Sequence, residues 1–429
     1  MIRTKKFKIG VVGLGYVGLP IARTLAEKYD VIGFDINEGK IKELRRGYDQ
    51  TGQFSKKALS LDTLHFFTDE TKLSACDYLI VTVPTPLTKA NEPNLSFLKD
   101  ATSTIGKNLS RKTTVIFEST VYPGTTEEIC IPILETESQL VAGKDFYVGY
   151  SPERINPGDE EHVFKNTPKI VAGQNKEALQ KVVSLYQKVI EANLHEAPSI
   201  KVAEAAKILE NTQRDVNIAL MNEFSLICHK LNINTLDVIA AAKTKWNFTP
   251  FTPGLVGGHC ISIDPYYLIY KAKRAGYHPQ LLSSARQIND SISSYIVSSL
   301  LALVVSHKLD VKQLKVALLG VTFKENIPDT RNSKALDILR QLQELGISIE
   351  AIDPYADKQE LARKYKIDIK RKLTEIHQVD VVILAVPHQD FNLNEITSQL
   401  KPNKTTILMD IKGIISNEDL PDNIILWHL

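Results

Sequence analysis

The chain has 429 residues, an apolar fraction of 43%, a charged fraction of 24% and a formal net charge of +2. That length exceeds one ordinary hydrophobic core and implies two or three domains, while the composition excludes a disordered or fibrous chain. Lysine and arginine are spread along the whole sequence, so no basic tail or stripe argues for nucleic acid or a membrane surface as partner, and an anionic ligand would need a local pocket.

The first residues, Met1-Ile2-Arg3-Thr4-Lys5-Lys6 and an apolar run through Ala22, imitate a signal peptide. Glycines cut that run at the spacing of a nucleotide-binding turn, however, and no cleavage site stands clear of it. Phe7 to Val12 is apolar and β-branched and predicts a strand, Leu19 to Tyr29 has helical spacing, and Val31 to Phe34 predicts a second strand ending at Asp35. Between strand and helix lies Gly13-Leu14-Gly15-Tyr16-Val17-Gly18. In this βαβ context the glycines permit a tight turn and close backbone approach, so the helix N-terminus can hold a pyrophosphate while Asp35 bonds the ribose hydroxyls. A carboxylate there repels a 2′-phosphate, which favours NAD over NADP. Glycines that serve only strand–helix packing are the alternative.

Further short apolar strands are expected at Tyr78 to Val83, Thr114 to Phe117 and Phe146 to Gly149, giving a doubly wound parallel sheet in a first domain over residues 1–195. Residues 196–307 are expected to form a central helical domain. On it Lys207, Asn211 and Arg214 share one face of a segment rich in Ala, Ile and Leu; an outward, solvated face would explain them equally well. The run Ile296 to Val305 is about half the length needed to span a bilayer and reads as a buried helix.

The most unusual stretch is the loop from Phe251 to Pro265, containing Gly257-Gly258-His259-Cys260 and Asp264. Two glycines let backbone approach a ligand, with a thiol directly after them and a carboxylate four residues on. Taken alone, Cys260 reads first as a small buried side chain and second as a nucleophile. A lysine nearby would favour the thiolate and steady an oxyanion. Adjacent His259 and Cys260 rarely share one tetrahedral site and no second pair is evident, so no metal is expected. Cys76, Cys130, Cys228 and Cys260 show neither CxxC nor zinc spacing, which fits a reducing cytoplasm.

A second βα series over residues 308–429 repeats the first. Lys315-Val316-Ala317-Leu318-Leu319-Gly320 matches Lys8 to Gly13, Glu350-Ala351-Ile352-Asp353 matches Ile32 to Asp35, and Asp380 to Leu384 matches Asp77 to Val81. The fold class expected is therefore α/β, with two Rossmann-like doubly wound domains joined by the helical one. The turn after Gly320 lacks the GxGxxG spacing and should not bind a second dinucleotide in the same way. Its Lys324 and Arg331 suit phosphates, or a solvated loop.

These motifs together resemble the UDP-glucose/GDP-mannose dehydrogenase family over almost the whole chain. The likeness is carried by the glycine turn, Glu118-Ser119-Thr120-Val121 with Pro123-Gly124-Thr125, Ser151-Pro152-Glu153-Arg154, the Lys207 to Glu223 helix, the Cys260 loop, and Phe323-Lys324 through Asp329, Arg331 and Ser333. The resemblance implies Cys260 as nucleophile, Lys207 and Asn211 steadying an oxyanion, Asp264 acting on water, Glu153 assisting thioester hydrolysis and Thr120 holding a water. It implies NAD contacts at Gly13, Gly15, Tyr16, Val17, Gly18, Asp35, Lys40, Thr85, Thr120, Glu153 and Arg331. Substrate contacts are implied at Glu153, Lys207, Asn211, Gly257, Lys324 and Lys412, and a homodimer or higher homo-oligomer as the assembly. The stretch Lys245-Trp246-Asn247-Phe248 through Leu268 is especially similar to the Vi-antigen type of UDP-N-acetylglucosamine 6-dehydrogenase, with a role in surface polysaccharide biosynthesis. UDP-GalNAc, UDP-ManNAc and UDP-glucose are the alternative substrates. A non-catalytic nucleotide-binding protein is the alternative from another class, and it would not need Cys260, Lys207 and Asp264 together.

Overall fold

The computed structural model describes residues 7–155, 161 and 163–429. The chain divides into two compact units, Met1–Glu210 with Tyr266–Tyr277, and Asn211–Pro265 with His278–Leu429.

The first unit is built on β1 (Lys8–Val12), β2 (Asp30–Phe34), β3 (Leu64–Phe67), β4 (Tyr78–Val81), β5 (Thr114–Phe117), β6 (Tyr147–Tyr150), β7 (Lys169–Gly173) and β8 (Leu194–Glu196), in the order β3-β2-β1-β4-β5-β6-β7-β8. Strands such as β4 and β5 are buried throughout, which is what a sheet covered on both faces demands. Val12 pairs with both Phe34 and Val81, so the carboxyl ends of β1, β2 and β4 lie level. The strand order reverses at β1 and β4, the place where an open α/β sheet leaves a ligand crevice. Ile9, Val11, Leu19, Ile21, Leu25, Val31 and Ile80 meet in the core beside it.

The first-sheet strands expected from the sequence are parallel to one another, and one further strand departs from them. β7 runs antiparallel to β6, with Gly149 opposite Gly173 and Tyr150 opposite Ala172. Parallel neighbours need a long crossover, whereas the described part of this connection contains no helix and the chain turns back beside the strand it has just left.

In the second unit β9 (Lys315–Leu319), β10 (Ser348–Ile352), β11 (Ile369–Lys370), β12 (Val381–Leu384), β13 (Thr406–Asp410) and β14 (Ile424–His428) form a sheet ordered β11-β10-β9-β12-β13-β14, parallel throughout. The six strands repeat the topology of β1 to β6. Helix Gln280–Ser306 lays Ile292, Ile296, Leu300 and Val304 into this core against Val316, Leu318 and Ile338. Its opposite side is open, with Val305 68% exposed, so the apolar run expected to be buried is buried along one face only. By length and composition this helix could cross a membrane, but its packed face belongs to the core of the second unit. The remaining central helices are Ile200–Leu231, Thr235–Lys243 and Asp264–Arg274.

Candidate functional site

The three glycines of the first turn do different work. Gly13 adopts φ +94°, a conformation that costs other residues strain, and its N–H donates to Phe34 O at 2.8 Å, closing the turn. A Cβ on Gly18 would stand 1.8 Å from Gly13 O, so only glycine lets helix Gly18–Leu25 start this close to β1. A Cβ on Gly15 would meet no protein atom within 4 Å, which leaves that backbone open to a ligand. Tyr16 and Val17 complete the turn at the helix N-terminus, whose N–H groups favour an anion. At the end of β2, Asp35 accepts from Leu14 N at 2.9 Å, Asn37 N at 3.0 Å and Lys40 Nζ at 2.7 Å. The residues present fit a dinucleotide: an open turn that would take a pyrophosphate and an anchored carboxylate at the end of β2 that would take ribose hydroxyls.

Beyond β4 and β5, Thr85 donates its hydroxyl to Thr120 O at 2.7 Å, tying the two loops together. Glu153 follows β6; its Oε1 accepts from Arg154 N at 2.7 Å and Ile155 N at 2.8 Å, and its Oε2 lies 3.4 Å from Lys169 Nζ. Lys169 is buried and also donates to Glu118 at 2.7 Å, while the Tyr186 hydroxyl donates to the same carboxylate. Burial works against the charge of Lys169, but Glu118 and Glu153 outweigh it and raise its pKa. Nothing in the sequence pointed to Lys169, because its partners are brought beside it only by the antiparallel β7. Lys207 lies buried on helix Ile200–Leu231, one turn before Asn211.

The thiol loop belongs to the second unit, where it is seated on the loop after β9. A Cβ on Gly257 would stand 2.7 Å from Asn332 O, and one on Gly258, at φ +85°, 2.7 Å from the Phe323 ring. Asn332 Nδ2 donates to Gly258 O at 2.9 Å, and the Ser262 hydroxyl donates to the same oxygen at 2.7 Å. Cys260 is therefore half-buried on a fixed turn, whereas Cys76, Cys130 and Cys228 are buried. Asp264 opens helix Asp264–Arg274 and donates its N–H to Cys260 O at 2.8 Å; its carboxylate accepts from Asn211 Nδ2 at 2.6 Å. Two residues named for catalysis from the sequence are thus in direct contact, and a third is one turn away along the loop. Sequence reasoning gave no role to His259, whose Nδ1 lies 3.0 Å from Cys260 Sγ.

Lys324, Lys412 and Gly257 line one small cavity of about 80 Å³ with Phe323, Glu325 and Ser333. Asp410, at the end of β13, accepts from the N–H groups of Lys412, Gly413, Ile414 and Ile415, which fixes the loop that presents Lys412. Lys412 Nζ pairs with Glu325 at 3.3 Å. Glu325 is partly buried, which acts to raise its pKa, but the charge and hydrogen bond of Lys412, a backbone N–H and the Lys324 charge together outweigh burial and hold the carboxyl below its ordinary value. Arg331 makes a two-pronged contact with Asp329, Nε standing 3.0 Å from each carboxylate oxygen. Among the described residues no group of three His, Cys, Asp or Glu is placed to hold a metal ion.

One sheet with an open dinucleotide turn, a second sheet of the same topology with a lysine-lined cavity, and a thiol loop seated on that second sheet define a nucleotide-dependent dehydrogenase of the two-sheet class. The chain belongs to the UDP-glucose/GDP-mannose dehydrogenase family. It matches the family's NAD binding domain over residues 7–190, its central domain over 201–291 and its UDP binding domain over 317–417. CapL of Staphylococcus aureus is 48% identical, covering 98% of this chain and 99% of its own. The UDP-N-acetyl-D-glucosamine 6-dehydrogenase of Pseudomonas aeruginosa is 46% identical, with coverage of 97% and 99%. The solved UDP-D-ManNAc dehydrogenase of Pyrococcus horikoshii superposes with a TM-score of 0.88 at 31% identity, covering 98% of each chain. The protein is an NAD-dependent oxidoreductase acting on a UDP-sugar.

Proposed function

We propose that this enzyme is a UDP-N-acetyl-D-glucosamine 6-dehydrogenase, oxidising the C6 hydroxyl twice, through a thioester on Cys260, to the uronate used in surface polysaccharide biosynthesis. The observation that carries the mechanism is the Cys260 turn, held by Gly257 and Gly258 and flanked by Asp264 with its Asn211 partner. The choice of sugar is supported by relatives of that name at 46% and 44% identity.

Gly13, Gly15, Tyr16, Val17, Gly18, Asp35, Lys40, Thr85, Thr120, Glu153 and Arg331 would hold NAD, which when bound accepts one hydride in each oxidation. Lys324 and Lys412 would hold the substrate diphosphate; to do so, Lys412 must trade part of its contact with Glu325 for phosphate oxygen. Lys207 and Asn211 steady negative charge on O6. Cys260 adds to the aldehyde of the first oxidation, giving a tetrahedral thiohemiacetal whose C6 hydrogen can leave as the second hydride. Glu153, held by two N–H groups and Lys169, and Asp264 then assist water against the thioester, with Thr120 positioning that water. The aldehyde stays attached to the enzyme. Leu209, Leu220, Ile227 and Leu231 form an exposed apolar stripe along one helix, which supports a homo-oligomer, and the four thiols support a cytoplasmic enzyme.

The test is NADH yield at completion with limiting UDP-GlcNAc, UDP-GalNAc, UDP-ManNAc and UDP-glucose. Two NADH and a uronate from UDP-GlcNAc are expected, and Cys260→Ala should bind NAD but form no acid. Turnover confined to another sugar refutes the substrate, and normal acid formation by Cys260→Ala refutes the thioester.

A further inference from the structure

We propose that His259 is a catalytic residue whose imidazole takes the Cys260 proton as the thiol adds to the aldehyde and returns it when the thioester is cleaved, with Asp329 as its positioning residue. The assignment rests on the thioester reading above, and its geometry lies within the second unit. His259 Nδ1 stands 3.0 Å from Cys260 Sγ, and Nε2 stands 3.8 Å from Asp329 Oδ2. Arg331 fixes that carboxylate through Nε at 3.0 Å to both oxygens and through its own N–H at 3.0 Å. The imidazole meets Phe323 edge-on at 5.7 Å, and Gly258 packs against the same phenyl ring, so the imidazole is located by packing as well as by polar contacts.

Asp329 lies 3.8 Å from Nε2, too far for a hydrogen bond, and acts on the ring through its charge, which favours the neutral tautomer with the proton on Nε2 and the Nδ1 lone pair toward sulfur; this tautomer is inferred from the partners. Nucleophile, base and orienting carboxylate are then in sequence, the arrangement that activates a weak nucleophile. As Sγ bonds to C6, the S–H proton passes to Nδ1 and the carbonyl π pair becomes the O6 oxyanion. Departure of hydride to the second NAD re-forms the carbonyl as a thioester. Water then adds at C6 as one of its protons passes to the Asp264 carboxylate. The O6 pair re-forms the carbonyl as the C–S bond breaks, Nδ1 returns its proton to sulfur, and the product carboxylic acid and Asp264 release their protons to solvent. The charged groups around the pair act in different directions. Asp329 favours the imidazolium, Arg331 weakens that effect, and Asp264, four residues along the loop, opposes the thiolate. Asn211 Nδ2, donating to Asp264 at 2.6 Å, draws off part of that carboxylate's charge.

The experiment is the pH dependence of Cys260 alkylation by iodoacetamide in the full-length protein, read at that residue by mass spectrometry. Cys76, Cys130 and Cys228 are buried, and burial pushes Cys76 and Cys130 up to about 12, so they do not compete. His259→Asn keeps a polar atom near sulfur but accepts no proton at neutral pH. It should move the titration midpoint up by about one unit and slow alkylation at pH 7 about tenfold. Asp329→Asn should give a smaller shift in the same direction, and kcat should fall in parallel while KM for the UDP-sugar holds within about twofold. If His259→Asn melts early, His259→Gln carries the same comparison. A His259 variant with the wild-type alkylation profile overturns the assignment, even if its kcat falls. Should Cys260→Ala form acid normally, the thioester reading fails while the alkylation profiles still decide whether His259 acts on the thiol.

Discussion

Glu204 makes the stability of the first unit fall as pH rises, and replacing it with glutamine should reverse the sign of its effect between pH 4 and pH 8. The residue is buried on helix Ile200–Leu231, one turn before Lys207. Its Oε2 accepts from Gly124 N at 2.6 Å and its Oε1 from Thr126 N at 2.9 Å. Burial pushes the carboxyl up to about 7 from an ordinary 4.5, outweighing both donors. The folded protein thus holds this proton more tightly than the unfolded chain. The resulting stability is fully present below pH 4.5 and is lost as pH rises through about 7. At about 1.4 kcal/mol per pH unit the window corresponds to roughly 3 kcal/mol. Glu204→Gln cannot ionise, but its amide accepts from only one of the two N–H groups, a cost of about 1 kcal/mol. The variant should therefore be about 1 kcal/mol less stable than wild type at pH 4, nearly equal to it at pH 5 and about 2 kcal/mol more stable at pH 8. Amide exchange at Gly124 and Thr126, corrected for intrinsic rates, reads the opening free energy of this segment directly. Equal pH slopes in the two proteins would refute a carboxyl that titrates near neutrality.

The first glycine turn predicts a separation between stability and binding. Gly15→Ala should leave the melting temperature unchanged and weaken NAD affinity at least tenfold by calorimetry. Gly18→Ala, whose Cβ would lie 1.8 Å from Gly13 O, should lose both affinity and about 1–3 kcal/mol of stability in denaturant titration. Lys412→Ala should raise KM for the UDP-sugar by about ten- to a hundredfold in steady-state kinetics, with NAD affinity unchanged. It also removes a cation that helps to hold Glu325 acidic, so the Glu325 carboxyl should titrate at higher pH by NMR.

Much of the scaffold was legible because its signals are local. The apolar runs Lys8–Val12 and Lys315–Leu319, the glycines between strand and helix, and an aspartate closing the second strand of each series lie within short windows, and each has a direct structural counterpart. Direction is not local: β7 reads as one more apolar run, and nothing within Lys169–Gly173 tells that it returns antiparallel. The contacts missed at the site share that character. Lys169 reaches Glu118 across 51 positions, and His259 meets Asp329 only because the thiol loop settles on Phe323 and Asn332. A histidine beside a cysteine carries no signal of its own when the carboxylate that orients it lies on a different loop.

The two sheets explain how one topology serves two purposes. Asp35 holds Leu14 N, and Asp353 holds Val321 N in the corresponding place after Gly320, so in both halves the aspartate first braces the turn that follows the first strand. Around Asp35 the further partners are Asn37 N and the Lys40 ammonium, a side chain that can move aside, and the carboxylate keeps capacity for ribose hydroxyls. Asp353 is fully buried and is filled from within: it accepts from Thr322 N, Tyr355 N and Ala356 N, and His388 Nε2 lies 3.0 Å away. His388 Nδ1 in turn accepts from Asn326 N, which fixes the loop just after Lys324. A Cβ on Gly320 would meet Val386 O at 2.3 Å, whereas Gly15 faces open space. The second turn is closed where the first is open. The carboxylate that would have met a ribose is spent on holding the loop that carries Lys324, and in the proposed function that lysine and Lys412 are the groups that would take the anion.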